Sequence, residues 1–199
     1  MDMEQTKSHD QSSARSMPSQ PRIDSSMSSA ESKAQDVSQQ ISRENQPHNA
    51  VVMQLQRQVA NAYVLYTNYK HYHWNTYGPL FRDLHLLFDE FANAVLKTSD
   101  GFAERIRMIG QDPVFSPIEV SETASVKSAD RANYTMSDMI TEADRNLLGV
   151  IKEMREGVRI ADDQNDPGTA DLFTQAVQIH EKHEWWLRDI LEKRDGLTV

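Results

Sequence analysis

Residues 73–104 read HWNTYGPLFRDLHLLFDEFANAVLKTSDGFAE, and this stretch decides the fold that the sequence predicts. Gly78 and Pro79 separate two helical patterns, because Gly suits the C-terminal turn of a helix and Pro cannot continue the hydrogen-bond ladder. Pro79 also suits the first turn of a following helix. The stretch therefore predicts a helix end, a tight turn and a second long helix.

Four segments show apolar residues at every third or fourth position, which is the period of an amphipathic helix. The predicted helices span about residues 49–77, 80–109, 135–162 and 169–193. Residues 111–133 form a long connection with a short helix at about residues 118–123. This order predicts an all-α, ferritin-like four-helix bundle with a long crossover between the second and third long helices. The predicted core stripes include Leu84, Leu87, Phe91 and Ala94, and then Leu172, Ala176, Ile179, His183, Trp186 and Ile190.

The first quarter of the chain has a different composition from the rest. Residues 1–49 are rich in Ser and Gln and show no apolar period, so we expect a disordered N-terminal extension before a bundle over residues 50–195. There is no Cys, no apolar run long enough to cross a membrane and no apolar signal segment at the start. These features predict a cytoplasmic protein without a membrane partner.

The net charge is −9, and both parts of the chain are acidic. Residues 1–50 contain five Lys and Arg against seven Asp and Glu, and residues 51–199 contain sixteen against twenty-three. An acidic surface repels phosphate and attracts cations. The charge therefore argues against electrostatic DNA binding and favours metal ions as ligands.

Five potential metal ligands lie in the opening stretch: His73, His85, Asp89, Asp100 and Glu104. Two histidines and three carboxylates suit a divalent first-row metal such as iron. Asp89 and Asp100 share a helix face but lie about 16 Å apart along the axis, whereas metal–ligand bonds are about 2 Å long. One chain therefore cannot use both for one ion. Either there is no shared site, or a two-fold partner brings its Asp100 and Glu104 to His85 and Asp89.

The pattern H-W-x-x-x-G-x5-L-H-x3-D from His73 to Asp89 is followed by D-x-x-A-E-R from Asp100 to Arg105. With Ile109-Gly110-x-x-Pro113, it resembles the Dps family, the mini-ferritins called DNA-binding proteins from starved cells. The likeness covers about residues 51–195 and includes the segment K-x-x-W at residues 182–185. Thr76 and Ser99 depart from the family's usual residue types.

The resemblance implies a homo-dodecameric shell that oxidises Fe(II), with hydrogen peroxide preferred over dioxygen, and stores ferric oxide, protecting the cell and its DNA from oxidative damage. It implies a ferroxidase centre at a two-fold interface, with His73, His85, Asp89, Asp100 and Glu104 as iron ligands and zinc as a competitor. It also implies that Asp166 and Asp171 line a three-fold pore for iron entry.

Two other functions compete with this one. A di-iron enzyme with its site inside one bundle requires Glu-x-x-His on two helices, and the sequence contains no such motif. A nucleoid-associated DNA-binding protein with little iron chemistry is the alternative, but the N-terminal extension is net negative.

Overall fold

The structure is a computed structural model that describes residues 32–35, 49–130 and 134–192. The chain divides into two compact units, Met1–Ser38 and Gln39–Val199. In the first unit only residues 32–35 are described, and they are helical. The predicted disordered extension therefore lies almost entirely outside the described residues.

Four long helices and one short helix make up the described part of the second unit, which contains no strand. The helices are α1 (Asn49–Asn75), α2 (Phe81–Met108), α3 (Pro117–Thr123), α4 (Met136–Asp163) and α5 (Pro167–Leu191). Helix α1 packs against α2 and α4, and α5 packs against α4 and α2. The predicted all-α, ferritin-like bundle and its short crossover helix are confirmed, and each end of a long helix lies within two residues of its predicted position.

The turn between α1 and α2 forms slightly differently from the prediction. Helix α1 ends at Asn75, three residues before Gly78, which adopts the left-handed backbone conformation with φ of +79°. The backbone N–H of Phe81 donates to the carbonyl oxygen of Gly78 at 3.0 Å, which closes a four-residue turn. Pro79 therefore occupies the second position of this turn, which Pro favours, and not the first turn of α2.

The end of α2 follows from Gly110, as the sequence predicts. Gly110 has φ of +83°, and its N–H donates to the carbonyl of Arg107 at 3.0 Å. The N–H of Gln111 donates to the carbonyl of Ile106 at 3.0 Å. These two bonds form a Schellman motif, which satisfies carbonyls that the helix end would leave without donors.

Three amide side chains of α1 fasten the long connection to the bundle: Gln56, Asn61 and Asn68. Each accepts from a backbone N–H of the connection, at 2.7 Å from Val114, 2.8 Å from Ser125 and 2.8 Å from Ala129. Gln56 and Asn68 also donate to carbonyls of the same segment. An irregular segment that covers a helix needs partners for its backbone groups, and these amides supply them.

The predicted core stripes are partly wrong, because each helix contacts two neighbours and buries a wider face than one row of residues. On α2, Leu87 and Ala94 lie at the edge of the core; on α5, Ile179 is 38% exposed. Gly157 of α4 lies so close to Phe173 that a Cβ atom there would approach the ring to 2.8 Å. The inward faces contain Leu84, Phe88, Phe91, Val95, Phe102 and Ile106 of α2, and Phe173, Val177, His180, His183 and Leu187 of α5.

Two histidines in the core should make the free energy of unfolding depend on pH. Burial lowers the pKa of His180 to about 3 and that of His183 to about 4. The Nδ1 atoms of both have no hydrogen-bond partner among the described residues. Both rings are therefore neutral in the folded chain, whereas the unfolded chain takes up protons below about pH 6.5. The free energy of unfolding should fall by about 1 kcal/mol per histidine between about pH 6.5 and pH 5.5.

Urea unfolding across this pH range measures the effect, with the double variant His180→Leu and His183→Phe as the comparison. The double variant should show a flatter dependence on pH. Unfolding at about pH 8, where both histidines are neutral in either state, separately measures the packing cost of the substitutions. An unchanged pH dependence in the variant would contradict the prediction.

Candidate metal centre

His73 and His85 meet where α1 ends and α2 begins, and each binds the backbone of the other. Their rings stack with centres 3.7 Å apart. The Nδ1 of His73 lies 2.6 Å from the carbonyl oxygen of His85, and the Nδ1 of His85 lies 2.8 Å from the carbonyl oxygen of His73. A carbonyl can only accept, so each Nδ1 bears a proton, and in the neutral form of the ring Nε2 keeps its lone pair. This is the arrangement in which histidine binds a metal through Nε2.

The same contacts complete the end of α1. The carbonyl of His73 is in the last turn of the helix and has no donor from the helix itself. It accepts from the Nδ1 of His85 and also from the Oγ1 of Thr76 at 3.2 Å. Thr76, which departs from the family's usual residue type, is buried, and its hydroxyl helps to complete the end of α1.

Asp89 lies one helical turn after His85 and is paired with a cation that the sequence analysis did not identify. The Nζ of Lys70 donates to Asp89 Oδ1 at 2.7 Å, and Asn93 Nδ2 lies 3.4 Å from Oδ2. The hydrogen bond from Lys70 lowers the pKa of Asp89, so the carboxylate is ionised. Lys70 precedes His73 by three residues on α1, and this spacing places both residues on one side of the helix. The spacing is the sequence signal that could have identified Lys70 as part of the site.

Asp100 and Glu104 are exposed on α2, about three and four turns beyond Asp89. Within the parts of one chain that the structure describes, no three His, Asp or Glu side chains lie close enough together to bind one metal ion. The structure thus brings His73 and His85 together with Asp89 on the adjacent turn, and does not bring Asp100 and Glu104 to them. A site shared with a partner stays a prediction.

Asp166 has a structural role that the sequence analysis did not identify, and the pore-lining role that the resemblance implied stays a prediction. It is buried at the N-terminus of α5, where it accepts from the Thr169 N–H at 3.0 Å and from the Thr169 hydroxyl at 2.6 Å. Arg105 of α2 donates to its Oδ1 at 2.6 Å. Asp-Pro-Gly-Thr is an N-cap followed by Pro in the first helical turn, a signal that the sequence already contained.

Asp171 is different, because it lies on the exposed face of α5. Its carboxylate accepts from the side-chain amide of Gln175 on the next turn, at 2.7 Å. A role for Asp171 in iron entry stays a prediction.

Comparison with known proteins identifies the family. A model of the ferritin-like domain family matches residues 52–196. The chain is 30% identical to DNA protection during starvation protein 1 of Deinococcus radiodurans over 75% of this chain and 72% of the relative. The crystal structure of Dps from Thermosynechococcus elongatus superimposes with a TM-score of 0.74 at 44% identity, covering 79% of this chain and 99% of that one.

A third similar structure is a Dps protein from Vibrio cholerae, described as a member of a broad superfamily of ferritin-like diiron-carboxylate proteins. It has a TM-score of 0.69 at 25% identity, covering 76% of this chain and 92% of that one. The chain belongs to the ferritin-like superfamily and, within it, to the Dps family. None of the helices in the described part of the chain is long and apolar enough to cross a membrane.

The role of Asp166 predicts a large loss of stability on substitution. Asp166→Ala removes the helix cap and leaves the mostly buried Arg105 without its carboxylate partner, so the free energy of unfolding should fall by about 3 kcal/mol or more. Asp171→Ala is the matched control, because it removes an exposed carboxylate five residues later and should change stability by less than about 0.5 kcal/mol. Urea unfolding of the two variants tests this, and equal losses would contradict the assignment.

Proposed function

We propose that the protein is a ferroxidase and iron store, which oxidises Fe(II) with hydrogen peroxide and keeps the ferric product inside a twelve-subunit shell. The observation that supports this most strongly is the reciprocal bonding of His73 and His85. It fixes both rings with Nε2 free to bind metal, beside an ionised Asp89, in a chain of the Dps family.

The first half of the proposed centre is formed by residues of one chain. His73 and His85 offer imidazole nitrogens and Asp89 offers a carboxylate, a donor set that suits Fe(II). Lys70 neutralises Asp89 before iron binds, and its flexible side chain lets the ammonium move away when the ion arrives.

The second half of the proposed centre comes from a two-fold partner, whose Asp100 and Glu104 add two carboxylates. These extra negative charges stabilise the ferric product more than the ferrous substrate, because the interaction grows with the charge of the ion. One antiparallel crossing of α2 with its copy would form two equivalent centres.

Apolar side chains around the half-site support the partner's position. Trp74 is 69% exposed, Tyr77 53% and Leu86 51%, and Phe81 stacks on His85 with ring centres 5.2 Å apart. Large exposed apolar side chains clustered in one region indicate a surface that another protein covers. A partner there would also exclude bulk water from the centre.

The proposed reaction consumes two Fe(II), one hydrogen peroxide and two protons and yields two Fe(III) and two water molecules. It removes both reactants that would otherwise generate hydroxyl radicals. Dioxygen is the slower alternative oxidant in this proposal, and zinc competes for the same ligands because imidazole and carboxylate also suit it. We place this activity in the cytoplasm and in the folded unit over residues 50–195.

The double variant His85→Ala and Asp89→Ala should lose peroxide-driven Fe(II) oxidation, because it removes one nitrogen and one oxygen ligand from each centre. Stopped-flow absorbance of the ferric product measures the rate, and light scattering checks that the shell still forms. Asp189→Ala, which removes an exposed carboxylate of α5, is the control and should keep the wild-type rate. Oxidation at the wild-type rate in the double variant would refute the site.

Mixed shells test whether the site is shared. Asp89→Ala and Asp100→Ala subunits should each be inactive alone, because every centre lacks one ligand. In a dimer that contains one of each, one centre lacks both ligands and the other is complete. Random co-assembly should therefore restore about a quarter of the centres. If mixed shells stay as inactive as shells of either variant alone, the two halves of one centre do not come from two different subunits.

A further inference from the structure

Helix α2 begins and ends on an exposed apolar side chain, and each lies one turn from a proposed iron ligand. Phe81, the first residue of the helix, is 47% exposed, and Met108, the last, is 60% exposed. Phe81 comes one turn before His85, and Met108 comes one turn after Glu104. Single exposed apolar residues are common on protein surfaces, so exposure alone assigns no role to either residue.

The register of the proposed two-fold crossing connects these two residues. In that crossing, Glu104 of one chain meets the partner's His85. The two copies of α2 run antiparallel, so one turn toward the C-terminus of one helix matches one turn toward the N-terminus of the other. The turn after Glu104 and His85 therefore brings Met108 of one chain to the partner's Phe81.

The same register pairs α2 with its copy from end to end, because the first residue of each helix lies opposite the last residue of the other. The N-terminus of a helix has a partial positive charge and the C-terminus a partial negative one. An antiparallel copy therefore places ends of opposite charge beside each other. Both the matching length and the charge favour a second copy of this chain as the molecule that covers Met108.

Phe81 is the outermost of three stacked rings. It lies on His85 with ring centres 5.2 Å apart, and His85 lies on His73 with ring centres 3.7 Å apart. The plane of His85 thus depends on the position of Phe81, whose exposed surface has no cover within its own chain. A methionine thioether packs favourably on an aromatic ring, and its unbranched chain adapts to the space available.

We propose that Met108 is a positioning residue for the metal centre of the partner subunit, where its thioether packs on Phe81 and thereby holds the ring of His85 for the metal. This rests on the proposed ferroxidase function and its shared centre. Each subunit then gives its partner two carboxylate ligands and the apolar contact that supports a histidine ligand. Pairing of two subunits therefore completes the ligand set and the packing behind it together.

The chain contains no cysteine, which allows a direct test of the contact. The double variant Phe81→Cys and Met108→Cys is assembled into whole shells and treated with dibromobimane, which becomes fluorescent when it bridges two thiols. The two positions lie about 40 Å apart along one helix, so a bridge can form only between chains. We expect a fluorescent covalent dimer on a denaturing gel.

Three matched controls check the register. Phe81→Cys alone and Met108→Cys alone should give no bridged dimer, because like ends of the two helices lie far apart in an antiparallel pair. The pair Phe81→Cys and Lys97→Cys should also give none. Lys97 is exposed on α2 but lies about 16 Å from Met108 along the helix.

Co(II) affinity measures the positioning role without any iron oxidation. Co(II) is titrated into iron-free shells and followed by its visible absorption, and the signal that His85→Ala removes belongs to the proposed centre. Met108→Gln replaces the thioether by a polar amide and should weaken Co(II) binding about tenfold, as the loss of a group that orients a metal ligand does. Met108→Leu keeps an apolar side chain and should bind Co(II) like the wild-type chain.

Shells of normal size without a bridged dimer would overturn the contact, and so would equal bridging in the Lys97 pair. Unchanged Co(II) affinity in Met108→Gln would overturn the positioning role. If the double-cysteine variant does not form shells, the comparison of Met108→Gln with Met108→Leu decides. All these results leave Fe(II) oxidation by the wild-type chain standing. Absence of that oxidation would instead refute the ferroxidase function, whereas a bridged dimer would still establish the contact.

Discussion

The exchange of hydrogen bonds between His73 and His85 is the contact on which the proposed chemistry depends. Each imidazole donates to the other's backbone carbonyl, so the end of α1 and the first turns of α2 are held in one relative position. The same bonds determine which ring nitrogens are protonated. A helix end must find partners for its free carbonyls in any case. Here the side chains that provide those partners are the proposed ligands, so one set of bonds serves both stability and metal binding.

The crossover connection places a second polar group beside this turn. Amide side chains of α1 hold the backbone of the connection along the length of the helix, through Gln56, Asn61 and Asn68. The connection leads to Tyr134 and then to α4, which presents Glu142 to Tyr72. The hydrogen bonds of the crossover thus deliver a carboxylate to the buried side of the helix turn that bears His73.

Single-sequence reasoning succeeded where the signal is local. The apolar period located four long helices to within two residues, and Gly110 correctly marked the end of α2. It failed where a residue type has two common uses. The N-cap role of Asp166 was missed, although Asp before Pro, Gly and Thr is an N-cap signal. Its pairing with Arg105 could not be found because the two are 61 residues apart. Lys70 was overlooked for a similar reason, since its contact with Asp89 joins two helices.

The sequence by itself determined the helices, their breaks and the set of five potential ligands, because helical periodicity and turn chemistry depend on near neighbours in the chain. The distance between Asp89 and Asp100 along one helix also follows from the sequence alone. Only the tertiary structure decided that His73 and His85 bind each other's backbone, that Lys70 forms an ion pair with Asp89 and that Tyr72 and Tyr134 share Glu142. Those contacts depend on how each helix is rotated about its axis and where the crossover places α4, and both are set by packing between segments distant in the chain.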